Sequence, residues 1–122
     1  MFKVALPILG VSSSEAAEEF YCGKLGFQRI YAYRPSATAL DPCYMGVVRD
    51  EAHIVVSSFE GDGPPGARNV QIYAEDIAAI YEEYKQAGIS VSSLMDQTWG
   101  NLEFGFVDPD GNKLCIAQNK NS

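Results

Sequence analysis

The chain lacks most of what metal and nucleotide chemistry leaves in a sequence. It has one histidine, His53, and three cysteines, Cys22, Cys43 and Cys115, without metal-type spacing. An odd number of cysteines cannot pair completely within one chain, so free thiols in a reducing cytoplasm are expected. Basic residues are scarce: 9 Lys and Arg stand against 16 Asp and Glu, for a net charge of −7. Nothing basic clusters to neutralise phosphates, which excludes nucleic acid as the expected partner. No apolar run is long enough to span a bilayer, so no membrane partner is expected either. The start, "MFKVALPILGVSSSEAA", has one Lys before its apolar run and Pro7 within it. It reads as a first strand leading into a helix, not as a secretory leader. "GDGPPG" has glycines but no Lys-Ser/Thr, so it is a connector and not a phosphate loop. The acidity favours a cationic ligand, although solubility alone explains it in many proteins.

What the 122 residues do contain is a repeat. At this length one domain over 1–122 is expected, with 47% hydrophobic residues to build a core. A strand-like "KVALPILGV" precedes "SSEAAEEFYCGKLGF", which has early acidic residues, apolar residues at helical spacing and a stop at Gly26. "RNVQIYA" precedes "EDIAAIYEEYKQAGI", which stops at Gly88 in the same way. Ser14 and Asp76 are the expected N-caps; they lie 62 residues apart (76 − 14), as do Gly26 and Gly88 (88 − 26). Strand-like stretches follow in both halves, "FQRIYAY", "YMGVVRD" and "HIVVSSF" in the first, "ISVSS", "LEFGFVD" and "KLCIAQ" in the second. The predicted class is α+β, with two βαβββ modules at about 1–60 and 68–118 and a Gly/Pro-rich linker over 61–67.

The apolar stripes place the core. Ala16, Ala17, Phe20 and Tyr21 form one, and Ile77, Ile80, Tyr81 and Tyr84 the other; each must bury against its own sheet. Strand alternation then turns Val4, Leu6 and Ile8 toward the helix and leaves Ala5, Pro7 and Leu9 opposite. Likewise Val70 and Ile72 face inward, leaving Asn69, Gln71 and Tyr73, while Ile54 and Val56 leave His53, Val55 and Ser57. In "DPDGN", Pro109 and Gly111 suit a tight turn that pairs Phe106 with Leu114 and Phe104 with Ile116 on the core face. Gly105 then pairs with Cys115, and Glu103 with Ala117, on the other face.

These duplicated halves, with "AAEEFYCGKLGF" after the first strand and "WGNLEFGFVDPDGNKLCIAQ" at the end, resemble the glyoxalase/bleomycin-resistance family, the vicinal-oxygen-chelate fold. The resemblance implies mixed sheets curled around a cleft, with helices on their outer face. It also implies metal ligands in the enzymatic members, typically His or Gln in the first strand of a half and Glu in its last. The matching positions here are Pro7, His53 or its neighbour Val55, Asn69 and Cys115, none of them a carboxylate. "GVVRDEAHIVVSS" and "WGNLEF" look like the metal-free bleomycin-resistance branch, whose members hold a drug unchanged in clefts between the subunits of a dimer. No metal, cofactor or catalytic residue is therefore expected. Pro7 resembles a proline at which the first strand of such dimers crosses to the partner, and Trp99 and Tyr44 resemble residues of the drug groove.

The residues themselves support a binding site more readily than a catalytic one. Trp99, the only tryptophan, offers a stacking surface for planar or cationic ligands or else packs the cleft rim. Tyr31, Tyr33, Tyr44 and Tyr73 supply aromatic wall, though tyrosine is common in any half-buried strand. Glu103 offers a charge for a cationic group, or is a rim residue in water. Asn69 and Gln71 offer hydrogen bonds, to a ligand or to the neighbouring strand. His53 stands in no Ser-His-Asp or Cys-His pattern, and Cys115 is read as a small cleft-lining side chain. The ligand-binding set is thus Trp99, Tyr44, Glu103, Tyr31, Tyr33, His53, Asn69, Gln71 and Cys115, in a homodimer that sequesters a cationic or aromatic antibiotic. A lyase, dioxygenase or transferase of the same fold and a small-molecule sensor are the alternatives.

Overall fold

The structure, a computed structural model, describes residues 1–120. Its elements are β1 (Ile8–Gly10), α1 (Ser14–Tyr21), β2 (Gln28–Tyr33), β3 (Tyr44–Arg49), β4 (Ala52–Ser57), β5 (Asn69–Tyr73), α2 (Ile77–Gln86), β6 (Met95–Asp96), β7 (Asn101–Val107) and β8 (Lys113–Asn119). They build two four-stranded mixed sheets, ordered β1-β4-β3-β2 and β5-β8-β7-β6. In each sheet the first strand runs parallel to the last, and the other neighbours are antiparallel. This is the α+β architecture of two βαβββ units. Among the described residues no helix is long and apolar enough to cross a membrane.

The stop of α2 falls where expected, next to Gly88, whereas α1 ends earlier than Gly26, at Tyr21 with Cys22 as its C-cap. Gly26 and Gly88 have φ of 81° and 82°, a left-handed conformation in which a Cβ would be strained. The starts differ. Ser13, not Ser14, caps α1, its hydroxyl accepting from the Ala16 N–H at 3.1 Å. Ser14 is buried instead and donates its N–H to the Asp41 carboxylate at 3.1 Å. The buried stripe of α1 accordingly runs through Ser14, Ala17 and Tyr21, and Ala16 is exposed. Asp76 does stand at the start of α2 but makes no side-chain cap bond; the Ile77 N–H donates to Gln118 Oε1 at 2.9 Å. A residue distant in sequence supplies that cap.

Two strand expectations are overturned. Only Ile8–Gly10 pairs with β4, and its phase is the reverse of that counted from Val4. Leu9, opposite Val56, lies in the core, whereas Val4 is 76% exposed and Ile8 stands beside Val55 on the other face. Pro7 is therefore not a cleft-facing position. Residues 1–7 form no strand with the rest of the chain, and alternation has a fixed meaning only where pairing sets the register. "ISVSS" is also not a strand. Ser92 donates its N–H to Gly105 O at 2.8 Å, and its hydroxyl accepts the Gly105 N–H at 2.9 Å. The hydroxyl takes the donor that a partner strand's carbonyl would take, and the edge strand forms later, at β6.

One core serves both sheets. It joins Leu9, Met45, Val47, Ile54 and Val56 of the first sheet to Phe104, Phe106, Leu114 and Ile116 of the second, with Tyr21 and Tyr84 from the helices between them. Tyr84 meets Phe106 edge-on at 5.5 Å. Each such side chain contributes about 1.5–3 kcal/mol on burial. Because the helix-side faces bury together, the two free faces are left open. The turn over 108–112 has the expected register, Phe106 opposite Leu114 and Gly105 opposite Cys115, with Gly111 at φ 101°. It also holds the first unit: Tyr21 Oη donates to Asp108 Oδ2 at 2.9 Å, and Asn112 Nδ2 donates to Gly10 O at 2.8 Å.

Candidate functional site

The candidate residues divide between the two free faces. Met45, Val47, Ile54 and Val56 point into the core, so alternation puts Tyr44, Gly46, His53 and Val55 on the free face of the first sheet. On β2, Tyr31 lies opposite Gly46 and Tyr33 opposite Tyr44. The Tyr31 ring occupies the space that a Cβ on Gly46 would need, 2.2 Å from its Cζ. From there Tyr31 Oη is 3.1 Å from His53 Nε2, and its ring lies nearly parallel to that of Tyr44 at 6.4 Å. Tyr33 stacks on Phe59 at 6.0 Å. All six residues of β2 are exposed.

The second free face carries the other candidates. Asn69, Gln71 and Tyr73 alternate with the inward Val70 and Ile72; Gln71 is opposite Cys115, and Glu103 opposite Ala117. Gly100, at φ 97°, lets the chain turn tightly between β6 and β7, with Gln97 N–H on Asn101 O at 2.8 Å. That turn brings Trp99 back over β7. Trp99 Nε1 donates to Glu103 Oε2 at 3.0 Å, as do Asn101 Nδ2 at 3.1 Å and Gln71 Nε2 at 3.4 Å. Next to this cluster is a cavity of about 620 Å³, with Asn69, Gln71, Gly105 and Cys115 in its lining. Among the described residues, then, four candidates lie on the first sheet and five on or beside the second.

Electrostatics follow from these contacts. The Trp99 hydrogen bond, helped by that of Asn101, outweighs desolvation and holds the Glu103 carboxyl below its usual range, so it is a persistent anion. Burial, and then the charge of Glu103, pushes the Cys115 thiol up to about 11. Cys115 is thus a protonated, weakly nucleophilic thiol at neutral pH. Peptide mapping after iodoacetamide treatment at pH 8 should show Cys115 reacting about a hundredfold more slowly than free cysteine, given an ordinary thiol value of about 8.5. Labelling as fast as free cysteine would contradict this environment.

Asn101 and Phe59 were not singled out from sequence. Asn101 is buried and also donates to Tyr73 Oη at 3.2 Å; its spacing of two from Glu103 was a usable sign. Phe59 lies past the end of β4, where alternation gives no guidance.

Comparison with known proteins places this arrangement. Residues 3–116 match the family model described as the glyoxalase/bleomycin resistance protein/dioxygenase superfamily. The chain belongs to that superfamily. Bleomycin resistance proteins of Geobacillus stearothermophilus and Staphylococcus aureus are each 30% identical to it, over 93% of this chain and 95% of theirs. Two solved structures share its fold. A bleomycin-binding protein complexed with bleomycin superposes with a TM-score of 0.77 at 23% identity, over 97% of this chain and 99% of that one. TnmS3, an antibiotic-binding protein from Streptomyces sp. CB03234, gives 0.74 at 24% identity, over 98% of both.

This superfamily contains metal-dependent enzymes, so the donor set here bears testing. The free-face pairs where the parallel strands meet include Ile8 with Val55 on the first sheet, and Asn69 with Lys113 and Gln71 with Cys115 on the second. Ile8 and Val55 offer no donor atom, and beside Gln71 and Cys115 stands the single carboxylate of Glu103, already bonded to Gln71, whereas a catalytic divalent ion takes about three compatible protein ligands. Among the described residues no group of three or more His, Cys, Asp or Glu could hold a metal ion. The residues do not fit the superfamily's metal.

Proposed function

We propose that the protein binds a small or medium-sized cationic, aromatic antibiotic of the bleomycin type and sequesters it unchanged. The carrying observation is the pairing of Trp99 with Glu103. An indole that is 65% exposed is fixed in orientation by a carboxylate, so an aromatic face and a negative charge stand together, joined through Gln71 to a cavity of about 620 Å³ whose lining also includes Lys113. Stacking and cation attraction would then act on one guest, at little entropic cost because the side chains are already held. The similarity to bleomycin resistance proteins supports the same reading.

In this proposal the cleft is completed by a second copy of the chain. Tyr31, Tyr33 and Tyr44 on one protomer's first sheet would face Trp99 and Glu103 on its partner's second sheet, with His53, Asn69, Gln71 and Cys115 as further lining. The exposure of Tyr31 and Tyr33, at 38% and 58%, supports a covered role for this face. Exchange of the segment ahead of Pro7 is part of the same reading.

Calorimetric titration with metal-free bleomycin and with its copper complex tests the proposal. Micromolar or tighter binding at one drug per chain, with the drug's mass unchanged on recovery, is the expected result. No heat at millimolar drug, or a chemically altered drug, would overturn it. The pH dependence is specific. Because the Glu103 carboxyl lies below its ordinary value of roughly 4.3, its contribution to cation binding is present above that value and lost only as pH falls through the depressed one. Affinity should stay level from pH 7 down to about 5 in wild type, and Glu103→Gln should lower it about tenfold throughout.

A further inference from the structure

The internal repeat leaves one of its two equivalent junctions closed and the other open. At the closed junction, the turn after β7 packs against the segment from β1 into α1. Ser12 donates its N–H and its hydroxyl to the Asp110 carboxylate at 3.1 and 2.7 Å, Asn112 bonds Gly10 O, and a Cβ on Gly66 would lie 2.0 Å from Asp110 O. The equivalent junction lies between the β3–β4 turn and the segment from β5 into α2. There the connection has two residues, Asp50 and Glu51, in place of the five over 108–112. The shorter turn does not fill the gap, and a cavity of about 740 Å³ remains, whose lining includes Tyr73 but neither Trp99 nor Glu103.

The chemistry of this cavity is two-sided. Phe27, Ile72, Ile80 and Ile116, all buried or half-buried, give it an apolar floor. Asp50, Glu51, Glu75 and Asp76 are exposed on its rim. Its one cationic lining residue, Arg49, is already engaged, with Nη1 and Nη2 on the two Glu83 carboxylate oxygens at 2.8 and 2.9 Å and Nη1 also on Leu25 O at 2.9 Å. Among the described residues none of the four rim carboxylates has an ion pair. An apolar base below four unneutralised carboxylates complements one kind of guest.

We propose that this junction is a second ligand site, separate from the drug cleft, for a small organic cation with an apolar body, such as an aryl-alkyl ammonium group. The body sits on Ile72, Ile80 and Ile116 and the ammonium faces Glu51 and Glu75. Area burial supplies most of the affinity, and exposed ion pairs add selectivity for positive charge.

Amide chemical-shift titration of the full chain with phenethylammonium tests this, with phenethyl alcohol as the neutral control. Saturable shifts confined to residues 49–52 and 72–80, weaker by about threefold to tenfold in Glu51→Gln/Glu75→Gln, are expected. The alcohol should bind more weakly than the ammonium. Both glutamates are exposed, so the variant keeps its fold, and bleomycin affinity measured on it should equal wild type. Shifts centred on residues 69–71 and 99–105, equal binding of the alcohol, or no saturable shift would each overturn the second site without touching the drug-binding proposal.

Discussion

Asn112→Ala should destabilise the fold by about 3 kcal/mol, lowering the melting temperature by about 10 °C. Asn112 is fully buried and belongs to the turn that holds the two repeats together. Its Nδ2 donates to Gly10 O and to Asp108 Oδ2, both at 2.8 Å, and its Oδ1 accepts the Arg68 N–H at 3.0 Å. Alanine leaves the Arg68 N–H without this acceptor and takes one donor from a buried carboxylate. Gly10 O keeps the Gly66 N–H at 3.1 Å, which limits the loss there. An unsatisfied buried group costs about 1–3 kcal/mol, and here two are affected. Ser12→Ala, at an exposed bond to the same turn, is the control and should cost under about 1 kcal/mol. Calorimetric unfolding of the two variants separates them; equal melting temperatures would contradict the role given to Asn112.

Trp99→Ala should weaken binding of a bleomycin-type drug by thirtyfold or more, since truncating a central aromatic anchor costs about 2 kcal/mol or more. The indole is exposed and outside the core, so stability should be nearly unchanged. The variant also removes the main donor to Glu103, so the cationic part of the affinity should become sensitive to acid at a higher pH than in wild type. Trp99→Phe, which restores a ring without the N–H, should recover part of the affinity and none of the acid resistance. Calorimetry of the three proteins across pH separates stacking from charge. An unchanged affinity in Trp99→Ala would remove Trp99 from the site.

The parts of the fold that sequence made legible were those governed by local rules. Gly88 marked the end of α2 because left-handed backbone favours glycine, and "DPDGN" fixed the register of Gly105 with Cys115 through turn geometry. The parts that failed depended on partners distant in sequence. Gln118 caps α2 from β8, and Ser92 replaces a strand with a single hydroxyl. The phase of β1 is set by Val56, not by alternation from Val4. The candidate site shows the same division. Alternation sorted His53, Gln71 and Glu103 onto free faces, while the bond between Trp99 and Glu103 depends on a loop whose path no periodicity encodes. That the two groups of candidates lie on separate sheets followed from the division into two modules, and the strand orders agree.

Because Trp99 is the only tryptophan, its fluorescence reports on the proposed cleft alone. Titrating the protein with bleomycin in the presence of a chelator should change that emission saturably, at one drug per chain, with a midpoint equal to the calorimetric one. Saturable heat with the indole emission unmoved, or a response abolished by the chelator, would contradict a metal-free cleft built around Trp99 and Glu103.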